Sequence, residues 1–524
     1  MSKLIPIIGL EIHVELKTKS KMFCSCANGP FTAAPNTAVC EICLAHPGTL
    51  PVPNREAIIS TMKIAKALGC SVNQRCKFDR KHYFYPDLPK GYQISQYDQP
   101  IGEHGEIDLT FDREDNQRTL AKIGVTRVHL EEDTATLTHD DSGNTLVDFN
   151  RAGVPLVEIV SEPDVETALE AKTYCQELQL IFRYLGVSTA DMEKGQMRCE
   201  ANVSLQEEGS YIKKDGAIQA KAGHTLHPKV EVKNINSFRA VEKAIEYEIK
   251  RQNDLIAAGE TWRQETRGWD ESKQATVHQR FKETAADYRY FPEPDIPPFE
   301  PVKLAPDISL PELPLSKRAR FVEEYGFSLA DAFMLTADKD WANYTEAVMS
   351  ELHGWLHSLP ETKTCEVSPL GGIRGRFCKP AKELARLAGG WLTTKLVGAM
   401  NERKIDIRIL KIKPENFAEL ISLIYAERVN STNAQKILIE MLDSGVDLDP
   451  SHVMEEKGYG QIRDDAALAA VVDEIVVNYP KQVADFKAGK EPVIKFLIGM
   501  AMKATEGSAD PIMLEKMLRE KLKN

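Results

Sequence analysis

The sequence predicts an α+β protein, sheet first and helices after, on three observations. Three segments alternate apolar and polar residues with the two-residue period of a strand. Eight prolines crowd into residues 292–314. Beyond them, apolar residues recur at helical spacing to the end of the chain.

The first alternating segment is Ile8–Leu16, where Ile8, Leu10, Ile12, Val14 and Leu16 oppose Gly9, Glu11, His13 and Glu15. The second is Met197–Leu205, with Arg198, Glu200, Asn202 and Ser204 on one side. The third is Lys229–Lys233, where Lys229, Glu231 and Lys233 oppose Val230 and Val232. A half-exposed antiparallel sheet with a solvated side is the common arrangement. Glutamate is depleted in strands, so repeated carboxylates on strand faces point instead to a charged working surface.

The remaining elements follow in chain order. Residues 1 to about 160 read as strand-rich, interrupted by one helix over Arg55–Leu68 that Asn54 caps and Gly69 stops. A longer helix is expected over Val165–Leu185, between Asp164 as cap and Gly186, and another from Ser237 to Gly259. The stretch Pro292–Pro314 cannot continue a helix or a central strand, so it reads as a stiff linker. After it, helices are expected over Ser316–Tyr325 (Ser316 as cap), Leu329–Leu335, Asn343–His357, Trp391–Met400, Glu415–Glu427, Asn433–Leu442, Asp464–Asn478, Pro492–Ala504 and Pro511–Leu522. The expected domains are 1–296, 297–405 and 406–524.

A chain of 524 residues with 42% hydrophobic residues can bury several cores. Its net charge of −12 argues against wholesale wrapping of nucleic acid but leaves room for a local basic patch. No apolar run approaches the length of a membrane span and no cleavable leader is visible. A cytoplasmic, reduced setting is therefore expected, in which clustered cysteines mean metal rather than disulfides. Cys24-Ser-Cys26 and Cys40-Glu-Ile-Cys43 are two such pairs, with thirteen residues between them. That spacing suits a tetrahedral zinc site, and four protein thiolates would make it structural.

Other carboxylates sit in odd surroundings. Val128–Asp133 runs into three consecutive acids, Glu131, Glu132 and Asp133, and Glu158 stands alone in the apolar run Val154–Val160. If Glu11, His13, one of Glu131 or Glu132, Glu158, Glu200 and Glu231 converge, they require a cation or shared protons. Two carboxylates about 4 Å apart repel by roughly 4 kcal/mol at an effective dielectric of 20. Magnesium, with oxygen ligands and usually a phosphate alongside, fits that need. No P-loop or kinase glycine loop is present, so a nucleotide site would be of another kind. Phe78–Asp87 and Asp287–Asp295 interleave rings with cations, a pattern that suits either stacking on a ligand or a packed domain edge.

Ile8–Leu16, Phe78–Asp87, Gln93–Gly102, Ser161–Asp164, Gln264–Arg267, Asp287–Asp295, Gly489-Lys490 and Lys495–Lys503 together resemble the family of B subunits of the aspartyl/glutamyl-tRNA amidotransferases, over nearly the whole chain. The resemblance implies a cradle-shaped, largely antiparallel N-terminal domain with a zinc knuckle, then a helical domain, then a helical tail that touches tRNA. It implies that a misacylated Glu- or Asp-tRNA has its side-chain carboxylate phosphorylated by ATP with magnesium. Ammonia from a glutamine-hydrolysing amidase, the A subunit, then displaces the phosphate, and a small C subunit clamps the assembly. Carried over residue by residue, the family pattern places Glu11, His13, Glu131 or Glu132, Glu158, Glu200 and Glu231 in the active site. It puts magnesium among His13, Glu131, Glu132 and Glu158, and sets Lys81, Arg198 and Lys233 against phosphate. Glu200 or Glu231 would take a proton from the incoming nitrogen nucleophile. Two segments depart from the pattern: Gln206–Lys229, which reads as an extended hairpin, and the Gly-rich Gly354–Leu396. Two other classes of function compete with this one, a zinc-stabilised RNA-binding scaffold without chemistry and a magnesium-dependent phosphoesterase.

Overall fold

The computed structural model describes residues 3–29, 33–112, 118–214, 216–281, 288–356, 379–461, 465–505 and 507–523. The chain forms two compact units, Met1–Pro314 and Leu315–Asn524.

In the first unit, strands form where the alternation lies. One sheet contains β1 (Leu4–Glu15), β2 (Ser71–Val72), β3 (Gly102–Asp112), β4 (Arg118–Glu132), β5 (Pro155–Ser161), β6 (Met197–Glu207), β7 (Val230–Ile235), β8 (Glu265–Asp270) and β9 (Ala275–Phe281). Their spatial order is β9-β8-β7-β6-β1-β5-β4-β3-β2. Each neighbouring pair is antiparallel except β7 and β8, which run parallel. The three alternating segments of the sequence are thus β1, β6 and β7, three consecutive strands in the middle of the sheet.

One face of this sheet is apolar. Ile8, Leu10, Ile12 and Val14 of β1 join Val157 and Ile159 of β5, Val128 and Leu130 of β4, and Ala201 and Val203 of β6 in one core. Residues of the helices α1 (Arg55–Ala67), α2 (Ala168–Leu185) and α3 (Phe238–Ala257) complete it. Each of the larger buried side chains stabilises the unit by about 1.5–3 kcal/mol. The helices start where side chains can satisfy their free N–H groups. Asn54 caps α1, accepting from Glu56 N and Ala57 N, and Ser237 caps α3. The start of α2 differs from the expectation of Asp164. Thr167 and Glu170 form a reciprocal capping box, which satisfies two donors at once and begins the helix at Ala168. Asp164 instead accepts from Gly124 N and from Lys213 Nζ.

The proline stretch is not a free linker. Phe299 exchanges both backbone hydrogen bonds with Cys76 and stacks on Phe78 at 5.5 Å, and Ile296 is buried in the sheet core. The boundary between the compact units accordingly falls after Pro314 rather than after residue 296. The expected hairpin within 206–229 is present as Tyr211–Lys214 paired with Ala217–Ala220.

The second unit is helical among its described residues. Its elements include Pro314–Glu324, Leu329–Thr336, Lys339–Leu356, Pro414–Tyr425, Ser431–Asp443, Asp465–Asn478, Val493–Ala504 and Pro511–Lys523. Ser316 lies inside the first of these rather than capping it. A stretch of π-helix, Trp391–Leu396, joins Lys379–Gly390 to Val397–Arg403. Short helices at Pro450–Glu456 and Pro480–Lys487, each with proline in its first turn, are not expected from the periodicity. Helix Pro414–Tyr425 packs on Lys339–Leu356 through Phe417 and Tyr344, whose hydroxyl donates to Ile412 O. Leu468, Leu497, Leu514 and Leu518 centre a second core nearer the end of the chain. Most of the Gly-rich segment, with Cys365 and Cys378, lies outside the described residues.

Candidate active site

On the sheet face opposite the helices, side chains of five adjacent strands stand in a row. Register brings them together. Glu11 pairs with Glu200, and His13 pairs with Arg198 on one side and Glu158 on the other. Glu158 in turn pairs with His129 of β4, and Asn202 with Glu231 of β7. Directly opposed residues share a face and touch.

The row has two halves. In the first, His13 Nε2 lies 3.2 Å from Glu158 Oε2 and 3.8 Å from Glu131 Oε1. His129 Nε2 lies 3.4 Å from Glu158 and 3.8 Å from Glu131. Ser95 Oγ donates to Glu131, and an Arg127 nitrogen sits 3.9 Å from Glu158. Lys81 reaches over this half from the strand Asp79–His82, its Nζ 5.3 Å from the centre of the Tyr288 ring. Burial works against charge on His13, His129, Glu131, Glu158 and Lys81, but their mutual attraction wins. Burial pulls the His13 pKa down, yet the Glu158 hydrogen bond and the carboxylates of Glu158, Glu200 and Glu131 raise it to about 9. Glu158 is held well below the usual carboxylate range by the two histidines despite its burial. Lys81 is pushed up, its burial outweighed by Glu131 and Glu158.

The second half is short of positive charge. Glu11, Glu200 and Glu231 converge there, with Lys233 Nζ 2.8 Å from Glu200 and 3.9 Å from Glu231. Asn202 Nδ2 donates to Glu11 and Thr266 Oγ1 to Glu231. Burial raises the Glu11 pKa, and repulsion from Glu158 and Glu200 raises it further. The ladder between β6 and β7 shifts register between Cys199 and Ala201: β7 carries the extra residue, so Lys233 and Asn234 together oppose Glu200, with Asn234 in the left-handed conformation at φ 61°, and such a bulge re-aims a side chain. A cavity of about 450 Å³ opens beside Glu11 and Asn202, lined also by Ser204, Ala217 and His227.

The site residues expected from the sequence therefore fall into three sets. Glu11, His13, Glu131, Glu158, Glu200, Glu231, Lys81 and Lys233 come together. Arg198 shares the face but is engaged at its edge, 2.5 Å from Asp133 Oδ2. There burial and Asp133 raise Glu15 to about 8, while Arg198 and Arg151 overcome burial to hold Asp133 down to about 2. Glu132 does not join them. Successive strand residues point to opposite faces, and Glu132 turns away to pair with Lys90 at 2.5 Å and to accept from Ile94 N. The structure adds His129 and Ser95, which the sequence reading does not single out. His129 shares strand parity with Glu131, and that parity is the signal that identifies it.

Among the described residues, metal ligands are available in three places. His13, Glu131 and Glu158 offer one ligand atom each, all within 4.8 Å of one another, and so do Glu11, Glu200 and Glu231. The all-carboxylate group matches the oxygen preference of magnesium. Cys24, Cys26, Cys40 and Cys43 form the third group, with Cys40 and Cys43 sulfurs 3.9 Å apart. Tetrahedral bonds of about 2.3 Å put sulfurs about 3.8 Å apart, so the cysteines fit zinc. Cys24, through its hydrogen bond, brings the Cys43 thiol down to about 5 despite burial, so a thiolate is available. The knuckle is tied to the sheet, since Met22 N donates to Gly153 O and Gly153 N to Asp133 O.

The two aromatic-basic motifs become one element. Phe291 pairs with Arg80, whose guanidinium grips Glu293 with two hydrogen bonds of 2.7 Å. Tyr97 and Tyr290 stack at 4.4 Å, and Phe84 and Tyr85 remain exposed. Among the described residues, no helix is long and apolar enough to cross a membrane.

Residues 6–304 match the model of the GatB/GatE catalytic domain, and residues 377–522 match that of the GatB domain. Proteins named as the B subunit of aspartyl/glutamyl-tRNA(Asn/Gln) amidotransferase are similar over essentially the full length. Those of Dehalococcoides mccartyi and Brevibacillus brevis are each 42% identical, covering 100% of this chain and 99% of their own. That of Acaryochloris marina is 41% identical, covering 99% and 97%.

Proposed function

The chain belongs to the GatB/GatE family of aspartyl/glutamyl-tRNA(Asn/Gln) amidotransferase B subunits, and from that membership we propose that its polar sheet face activates the side chain of a misacylated Glu- or Asp-tRNA. A side-chain carboxylate oxygen attacks the γ-phosphorus of ATP and ADP leaves. Ammonia released from glutamine by the amidase, or A, subunit then attacks the acyl carbon, and phosphate departs. The products are Gln-tRNA or Asn-tRNA, ADP and phosphate. A small C subunit completes the complex, residues 406–524 contact the tRNA, and the setting is cytoplasmic.

The observation that carries this reading is the row itself. It offers two three-ligand groups on one sheet face, with Lys81 beside one and Lys233 beside the other. Magnesium held by Glu11, Glu200 and Glu231, and by His13, Glu131 and Glu158, would neutralise the phosphoryl oxygens. Lys81 and Lys233 flank the row and would bind and orient phosphate; fixed charges of this kind supply most of the catalysis in such transfers. Glu200 or Glu231 would accept the proton from the incoming nitrogen. The cavity beside Glu11 lies in the size range of small-molecule sites and is our location for the nucleoside of ATP. Zinc held by the four cysteines would be structural.

The test is reconstitution with the amidase and the small third protein of the complex, glutamine, ATP and charged tRNA. Conversion of Glu-tRNA to Gln-tRNA is expected, with ADP formed only when charged tRNA is present. Glu11→Gln and His13→Ala should each lower it by about two to four orders of magnitude. Full conversion by both variants would end the assignment. Cleavage of simple phosphate esters by the chain alone would favour a phosphoesterase.

A further inference from the structure

Lys21 is the anomaly of the cysteine knuckle. Its side chain is fully buried, at 0% exposure. Its Nζ has two neighbours, Cys43 Sγ at 3.7 Å and the carbonyl oxygen of Phe149 at 3.3 Å. Among the described residues, no carboxylate lies within ion-pair distance of it. A buried ammonium without a counter-charge costs several kcal/mol in any protein, and lysine is almost never fully buried unless paired. The cysteine cluster supplies the charge that no carboxylate does. Four thiolates around one divalent cation leave two negative charges uncompensated, and Cys43 is the most deeply buried of the four.

We propose that Lys21 is the internal counter-ion of the four-cysteine metal centre, a positioning residue that halves its excess negative charge and fixes the Cys43 thiolate against the Phe149–Gly153 turn. The proposal rests on the cysteines holding zinc. It adds that the centre and Lys21 depend on each other: the metal-thiolate charge makes the buried ammonium tolerable, and the ammonium makes the buried charge tolerable. Groups that touch metal ligands from behind commonly govern retention of the ion.

The experiment measures zinc in the purified full chain, its affinity by competition with a chromogenic chelator, and thermal midpoints with and without the metal. Lys21→Met is expected to weaken zinc binding by about 10–100-fold. Lys21→Gln, shorter and uncharged, should do the same, and it serves if the methionine variant fails to fold. Both should lower the midpoint of the zinc-loaded protein while leaving that of the stripped protein unchanged or higher. A loss of packing alone would lower both midpoints equally. In a Cys26→His background, where the ligand set carries one negative charge fewer, the Lys21→Met penalty should shrink to within about threefold. Wild-type zinc affinity in both Lys21 variants, equal lowering of both midpoints, or an undiminished penalty in the Cys26→His background would overturn the counter-ion. A wild-type chain that takes up no zinc at all would instead overturn the metal reading beneath it.

Discussion

Glu158→Gln is expected to be the most damaging single substitution in the chain. Glu158 is 5% exposed, and its carboxylate lies within 3.4 Å of both His13 and His129. The amide keeps the shape and removes the charge, so His13 and the buried His129 lose their nearest carboxylate and keep Glu131, with Glu200 the other carboxylate acting on His13. Breaking a buried ion pair from one side costs about 3–5 kcal/mol. Charged-tRNA-dependent ADP formation should fall by about two to four orders of magnitude.

A pH signature separates this effect from general damage. In wild type, His13 has its pKa raised from 6.5 to about 9. A raised pKa stabilises the fold fully below pH 6.5, and that stability is lost as the pH climbs through 9. The amount at stake is about 3 kcal/mol. Without Glu158, burial dominates and the contribution disappears. With magnesium chelated, the thermal midpoint of wild type should therefore drop more steeply between pH 6.5 and 9 than that of the variant, whose remaining slope comes from groups such as Glu15 that both proteins share. Parallel curves would mean that His13 does not depend on Glu158.

Removal of zinc from the proposed four-cysteine centre is expected to come second, and to reach the candidate active site through the backbone. Free zinc at a thousand times its dissociation constant stabilises a fold by about 4 kcal/mol. At about 2–4 °C per kcal/mol, that corresponds to a fall of roughly 10 °C in the midpoint on chelation or in Cys40→Ser. The path is visible. The knuckle is bonded to Gly153, Gly153 bonds to Asp133, and Asp133 N bonds to Val154 O. That corner fixes the ends of β4 and β5, which carry Glu131 and Glu158. Amide exchange at Gly153 and Val154 should accelerate on chelation before the rest of the sheet responds. Uniform exchange across the sheet would show that the knuckle does not brace this corner.

Much of the fold is legible in the sequence because strand alternation and helix caps are local signals. β1, β6 and β7 stand out as charged-face strands, and Asn54 and Ser237 mark their helices correctly. Register is not legible. Glu11 meets Glu200 across nearly two hundred residues of chain, and no local pattern specifies such a pairing. Strand parity is legible: it separates Glu131 from Glu132 and joins His129 to Glu131. The start of α2 departs from the expectation because Asp164 is a good cap in isolation, whereas Thr167 with Glu170 makes a better one. The helices Pro450–Glu456 and Pro480–Lys487 are too short for periodicity to register.

The docking of Phe299 and Ile296 against Cys76 and Phe78 has a practical consequence for dissecting the chain. A fragment cut at residue 296 would strip an aromatic lid from its own hydrophobic seam and leave that seam open to aggregation. A fragment ending at residue 314 retains the lid. It is the shorter piece that a proline count would recommend and the longer one that should stay monodisperse.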